Sequence, residues 1–151
     1  MKARLTAVIL IDMENQADLS VETLRGQLRH RFYLVDQLAF ADYSRPSFHS
    51  KAGYLKLDGL TPVQVNTFNG ISHIPNEVDR VMGRIIDHFA RKDYIATIVV
   101  VSGDEHFVRY VKRARSLGKQ VIVAANPDRT GRRLQNAASE FIPLRSQRAR
   151  N

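Results

Sequence analysis

Two acidic segments each follow directly on a run of apolar residues. Asp12-Met13-Glu14-Asn15 comes after Thr6-Ala7-Val8-Ile9-Leu10-Ile11, and Ser102-Gly103-Asp104-Glu105-His106 comes after Ile98-Val99-Val100-Val101. A continuous apolar run suits a strand buried on both faces, as in a parallel sheet covered by helices. Each segment therefore sets a carboxylate just past the C-terminal end of such a strand. Open α/β sheets bind ligands there, where the strand order reverses. In the order 3-2-1-4-5, the first and fourth strands are neighbours and Asp12 faces Asp104 across that point. Two carboxylates forced together repel unless a cation or a proton lies between them. A divalent ion answers the repulsion, and all-oxygen ligands favour Mg²⁺ or Mn²⁺ over Zn²⁺. Either Asp alone reads equally as a helix cap; the pair, in that topology, points to a site.

The remaining elements must bring these ends together. Val121-Ile122-Val123-Ala124 repeats the buried-strand pattern. Tyr33-Leu34-Val35 with Leu38-Ala39-Phe40, and Pro62 to Phe68, are weaker strands whose alternation leaves an edge open to pairing with another chain. Leu19 to His30 reads as a helix capped by Asp18, while Ser47 to Leu57 reads as either helix or loop. Asn76 to Ala90 carries Val78, Val81, Met82, Ile85, Ile86 and Phe89 at steps of three and four residues. In Phe107 to Leu117 the stripe is Phe107, Val108, Val111, Ala114 and Leu117, and Gly118 stands where a left-handed C-cap belongs. Strand and helix alternate throughout, which predicts an α/β fold: a doubly wound, mainly parallel sheet between two helical layers.

The chain has 151 residues, enough for one domain with a real core, expected over residues 1–144 with a basic, flexible tail at 145–151. It has no cysteine, which excludes disulfides and thiolate metal sites. Lys and Arg number 23 against 15 Asp and Glu, a net charge of +8, which suits a polyanionic partner such as nucleic acid. No Gly-x-x-x-x-Gly-Lys, Gly-x-Gly-x-x-Gly or Gly-x-Ser-x-Gly is present, so no phosphate loop or nucleophile elbow is expected. The apolar run near the N-terminus is too short for a signal peptide, and nothing approaches a membrane span. A cytoplasmic protein with no membrane partner is the expectation.

Val8-Ile9-Leu10-Ile11-Asp12-Met13-Glu14-Asn15 resembles the opening of NYN domains, a PIN-like family. Val101-Ser102-Gly103-Asp104-Glu105-His106-Phe107, with the following helix and Leu117-Gly118-Lys119-Gln120-Val121, resembles their second motif. Ala41 to Pro46, Asn76-Glu77-Val78-Asp79 and Leu134 to Ile142 are similar to further family segments, so the resemblance spans about Ala7 to Leu144. It implies a PIN-like fold and a metal-dependent ribonuclease site. In that site Asp12, Asp79 and Asp104 are the acidic ligands and Asn15 is a polar site residue, with Ser102 and Glu105 flanking Asp104. The chain departs from the family at several positions. His106 stands where a second Asp is usual, and its nitrogen suits Mn²⁺ or Zn²⁺ better than Mg²⁺. Glu105 is adjacent, but at a helix start it points about 100° away. Pro75 replaces a common Lys, Ile85 and Ser139 replace common Asp residues, and Asp87 is expected to be exposed or paired with Arg84 or Arg91. His30, His49, His73 and His88 show no metal-ligand spacing and read as surface residues.

Basic side chains complete the reading. Arg109, Lys112, Arg113 and Ser116 share the helix face opposite the apolar stripe, and Arg129, Arg132 and Arg133 cluster near Asn126-Pro127 and Gly131. Cations at strand ends suit an RNA backbone. Tyr43 and Tyr54 are candidates to stack on unpaired bases; core packing is the expected fate of Phe48. The leading expectation is a metal-dependent ribonuclease using Mg²⁺ or Mn²⁺. The alternative is a catalytically weakened domain that binds RNA, a protein or a second copy of itself.

Overall fold

Apolar runs with no polar interruption form the middle of the sheet, where both faces are covered. The computed structural model describes residues 5–16 and 21–145. The cap expected at Asp18, the helix start at Leu19 and the tail beyond Arg145 lie outside them. In chain order the elements are β1 (Leu5–Asp12), α1 (Met13–Gln16), α2 (Val21–Arg31), β2 (Phe32–Ala41), α3 (Lys51–Leu57), β3 (Thr61–Gln64), α4 (Glu77–Ala90), β4 (Thr97–Val101), α5 (Val108–Ser116), β5 (Gln120–Ala125), α6 (Arg132–Ala137) and β6 (Glu140–Pro143). The sheet runs β3-β2-β1-β4-β5-β6 with every neighbouring pair parallel. The order expected for the first five strands holds, β6 extends it beyond β5, and the reversal falls between β1 and β4.

Because strand side chains alternate between faces, two cores form. Val8, Leu10, Phe40, Val100 and Val123 pack under α4, α5 and α6 through Met82, Ile86, Val111 and Leu134. Ile9, Ile11, Ala39, Val99 and Ile122 meet Leu24 and Leu28 of α2 with Phe48 on the other face. No helix among the described residues is long and apolar enough to cross a membrane.

Three boundaries differ from the periodicity, each for a local reason. β2 is one continuous strand, not two pieces: its register against β1 slips between Ala7 and Val8, leaving Val35 unpaired as a bulge. Bulges insert such a residue and break the apolar alternation, and Asp36 and Gln37 follow it. β3 stops at Gln64, short of the expected Phe68, because Asp42 takes the Thr67 backbone N–H and draws the chain off the strand. The 3-10 turn Glu105–Phe107 precedes α5, with Asp104 as its cap. Ser47 to Leu57 resolves into turns followed by α3, which buries none of its residues. Gly118 adopts φ +89 at the end of α5, the left-handed conformation expected of it.

α4 and α5 approach closely at Gly83, where a Cβ would lie 2.3 Å from the buried Tyr110 ring. Alanine ordinarily stabilises a helix interior by about 1 kcal/mol relative to glycine. Here the clash reverses the sign: Gly83→Ala is expected to lower stability by about 1–3 kcal/mol in a denaturant titration. A stabilised variant would mean that Tyr110 has another place to go.

Candidate active site

Parallel pairing of β1 with β4 sets Ile11 opposite Val101, so both strands end at the same level. Two hydrogen bonds then tie the ends. Ser102 Oγ donates to Asp12 Oδ2 at 3.0 Å, and the Gly103 backbone N–H donates to Asn15 Oδ1 at 3.0 Å. The Asn15 N–H donates to Asp12 Oδ1 at 3.3 Å, and Ser102 Oγ also accepts from the Asp104 N–H at 3.2 Å. Asp12 and Ser102 are buried, and each is oriented by the other's loop. Asp104 caps the following turn by accepting from the His106 N–H at 2.9 Å.

Asp79 arrives from the other side, on the first turn of α4. Asn76, just before that helix, holds φ +59 and is the one non-glycine residue with positive φ among those described. Asn tolerates this region better than most residues, and the turn aims Glu77 and Asp79 at the strand ends. His106 Nδ1 lies 2.6 Å from Asp104 Oδ1 and 3.4 Å from Asp79 Oδ2. One ligand atom from each of Asp79, Asp104 and His106 lies within 4.8 Å of the others. Two carboxylates and an imidazole at this spacing fit a divalent cation.

The electrostatics are those of crowded acids. Burial pushes the Asp12 carboxyl up to about 6, against the Ser102 and Asn15 hydrogen bonds and with help from the charges of Asp104 and Glu14. Burial, then the charge of Asp104 and a hydrogen bond to it, push Asp79 up to about 7, with Asp12 adding to the rise. For Asp104 burial also acts upward, but hydrogen bonds from the His106 backbone and ring and from Asp79 outweigh it. Its carboxyl stays below the usual range. The hydrogen bond to Asp104 and that carboxylate's charge raise the His106 imidazole. Both raised groups hold their protons more tightly than usual, which acts against the repulsion among the acids.

A cleft of about 340 Å³ opens over these groups, lined by Asp12, Asn15, Asp79 and Asp104 and walled opposite by Thr67, His73 and Ile74. Beyond Pro75, Asn76 and Asp79 it adjoins a second groove of about 540 Å³, lined by Arg80, His106, Arg109, Lys112 and Arg133. Arg109, Lys112 and Arg133 thus line a groove next to the acidic cleft. Arg113 does not: its guanidinium lies 3.5 Å from Asp87 and stacks on Tyr110. That contact corrects the pairing expected of Asp87 with Arg84 or Arg91. Arg129 and Arg132 are exposed past the end of β5 and line neither groove. Glu105 turns toward Gly131, where a Cβ would lie 1.9 Å from its Oε1, and takes no part in the ligand cluster.

Tyr43 is buried, its hydroxyl donating to the Ala39 carbonyl at 2.6 Å, and Phe48 is in the core as expected. Tyr54 is exposed on α3 and lines neither groove. His73 is a cleft residue that no spacing rule could find, because a loop delivers it. Arg80 was within reach of the sequence: it follows Asp79 on the same helix turn and pairs with Glu77.

The family model described as NYN domain matches residues 6–145. Among solved structures, a protein of unknown function from Vibrio parahaemolyticus RIMD 2210633 is similar in fold. It has a TM-score of 0.78 and 18% identity, covering 95% of this chain and 96% of that one. An oxidoreductase domain protein from Kribbella flavida aligns over 91% of this chain and 32% of its own, at 14% identity and a TM-score of 0.46, too low to bear on the fold. None of the curated proteins matches the sequence.

The raised carboxyls penalise the fold when they ionise. Their contribution is fully present below the unfolded value near 4 and is lost as pH rises through about 6 for Asp12 and about 7 for Asp79. In a chelator, stability is expected to fall by roughly 2 kcal/mol from Asp12 alone between about pH 4 and about pH 7. Thermal unfolding of Asp12→Asn should show a flatter profile; one as steep as the native would remove Asp12 as a titrating group.

Proposed function

Since the chain belongs to the NYN domain family, we propose that it is a metal-dependent ribonuclease hydrolysing phosphodiester bonds in RNA. The observation that carries this reading is the closeness of Asp79, Asp104 and His106, within 4.8 Å, in a cleft that Asp12 also lines. A divalent ion bound there would lower the pKa of a water and offset charge on the phosphate. The chain's own part is to hold and to orient. Asp79 and Asp104 supply oxygens and His106 a nitrogen, a set that shifts preference from Mg²⁺ toward Mn²⁺. Asp12, fixed by Ser102 and Asn15 and with a carboxyl near 6, is suited to take a proton at neutral pH. Arg80, Arg109, Lys112 and Arg133 would carry the phosphate backbone, with affinity that falls as salt rises.

One observation favours a second reading, a domain that binds RNA without cutting it. His106 Nδ1 at 2.6 Å occupies an Asp104 oxygen that a cation would need. Cleavage of a labelled single-stranded RNA separates the two. With Mn²⁺, and more slowly with Mg²⁺, the native chain is expected to cut, and Asp12→Asn and Asp104→Asn are each expected to lose about 100-fold or more. No cleavage with either ion, beside salt-sensitive binding that survives both substitutions, selects the second reading.

A further inference from the structure

The connection from β3 to α4 walls the acidic cleft and carries an exposed aromatic side chain, Phe68. Its base is anchored: the Thr67 N–H and hydroxyl both donate to Asp42 Oδ2, at 3.0 and 2.8 Å. From there it forms a small hairpin. Phe68 and His73 pair as an antiparallel bridge, and the Ile74 N–H donates to the Thr67 carbonyl at 2.7 Å. At the tip, Asn69 Oδ1 accepts from the Ile71 and Ser72 N–H groups at 2.9 Å each, and Gly70 supplies φ +91. On this closed frame Phe68 remains 59% exposed and Ile71 90% exposed.

A single exposed apolar residue is ordinary; the surroundings of this one are not. Thr67, His73 and Ile74 of the same hairpin form a wall of the cleft that holds Asp12, Asp79 and Asp104. On the far side the surface passes Pro75, Asn76 and Asp79 into the groove lined by Arg80, Arg109, Lys112 and Arg133. An apolar ring, an acidic cleft and a basic groove therefore follow one another across the C-terminal end of the sheet. A ligand matching that succession is a polyanion with flat apolar groups free to stack, which describes a single strand of nucleic acid. A duplex keeps its base faces inside its own stack and offers none to Phe68. The hairpin's hydrogen bonds also mean that little order has to be imposed on binding.

We propose that Phe68 is the stacking platform for an unpaired base of the RNA strand whose backbone crosses the acidic cleft. This rests on the ribonuclease reading. The test is a titration, in chelator and low salt, of a single-stranded RNA carrying 2-aminopurine among uridines, whose fluorescence is quenched when the base stacks. The native chain and the control Leu57→Ala, altered at an exposed site on α3, are expected to bind and quench alike. Phe68→Ala is expected to lose the quench and about 5- to 150-fold in affinity, while its weak, salt-sensitive binding of a duplex stays unchanged. Native-like quench and affinity in Phe68→Ala would overturn the platform and leave the ribonuclease reading standing. Absence of binding by the native chain at low salt, in chelator and again after Mn²⁺ is added, would overturn both.

Discussion

Carboxylates that must lie close together set the terms for the rest of this molecule. Parallel strands that end at one level deliver Asp12 and the Asp104 loop to adjacent positions, and α4 adds Asp79 from above. Nothing about that arrangement is favourable for the apoprotein: burial and mutual repulsion both oppose ionisation. The structure answers with fixed partners. Ser102 and Asn15 stitch the β1 and β4 ends to each other, and the His106 ring nitrogen lies 2.6 Å from an Asp104 oxygen. The sheet and two close-packed helices hold these groups against their own repulsion, and a cation is the ligand that would reverse it.

Asp42 makes the contrast clear. It is as buried as Asp12 and ends the neighbouring strand, yet its carboxyl is driven the other way. Burial raises it, but donors from Ser44, Gln64 and Thr67 crowd both oxygens and hold it well below the usual carboxylate range. Asp12 has fewer donors and a like charge nearby, so burial wins. Of two buried acids at adjacent strand ends, one is spent on structure, anchoring the β3–α4 connection. The other keeps a raised carboxyl and lines the cleft. Donor supply, more than burial, separates them.

Local signals carried much of the fold and part of the site. The apolar runs and the helix stripes placed the central strands, α4 and α5, because burial on two faces or on one leaves its mark within a few residues. Asp12 and Asp104 stood out as the first acids past buried strands. The bulge in β2, the early end of β3, the turn of Glu105 toward Gly131 and the capture of Arg113 by Asp87 left no such mark. Each depends on a partner far away in the chain. The aromatic residues show the same division: Tyr43, a stacking candidate by position, is needed to cover the core, whereas Phe68, read as part of a strand, stands in solvent on the loop that walls the cleft.

By itself the sequence determined which segments pair with which kind of neighbour, and so the parallel sheet and its reversal between the first and fourth strands. It also determined that acids would meet at that reversal, since side-chain type and strand ends are properties of the chain. Only the tertiary structure decided which of those acids lie within a few ångströms of one another, which basic side chains face the groove, and which loop walls the cleft. Those outcomes depend on distances of a few ångströms between residues many positions apart. Electrostatic and hydrogen-bond energies change over that range, and hydrophobic periodicity does not record it.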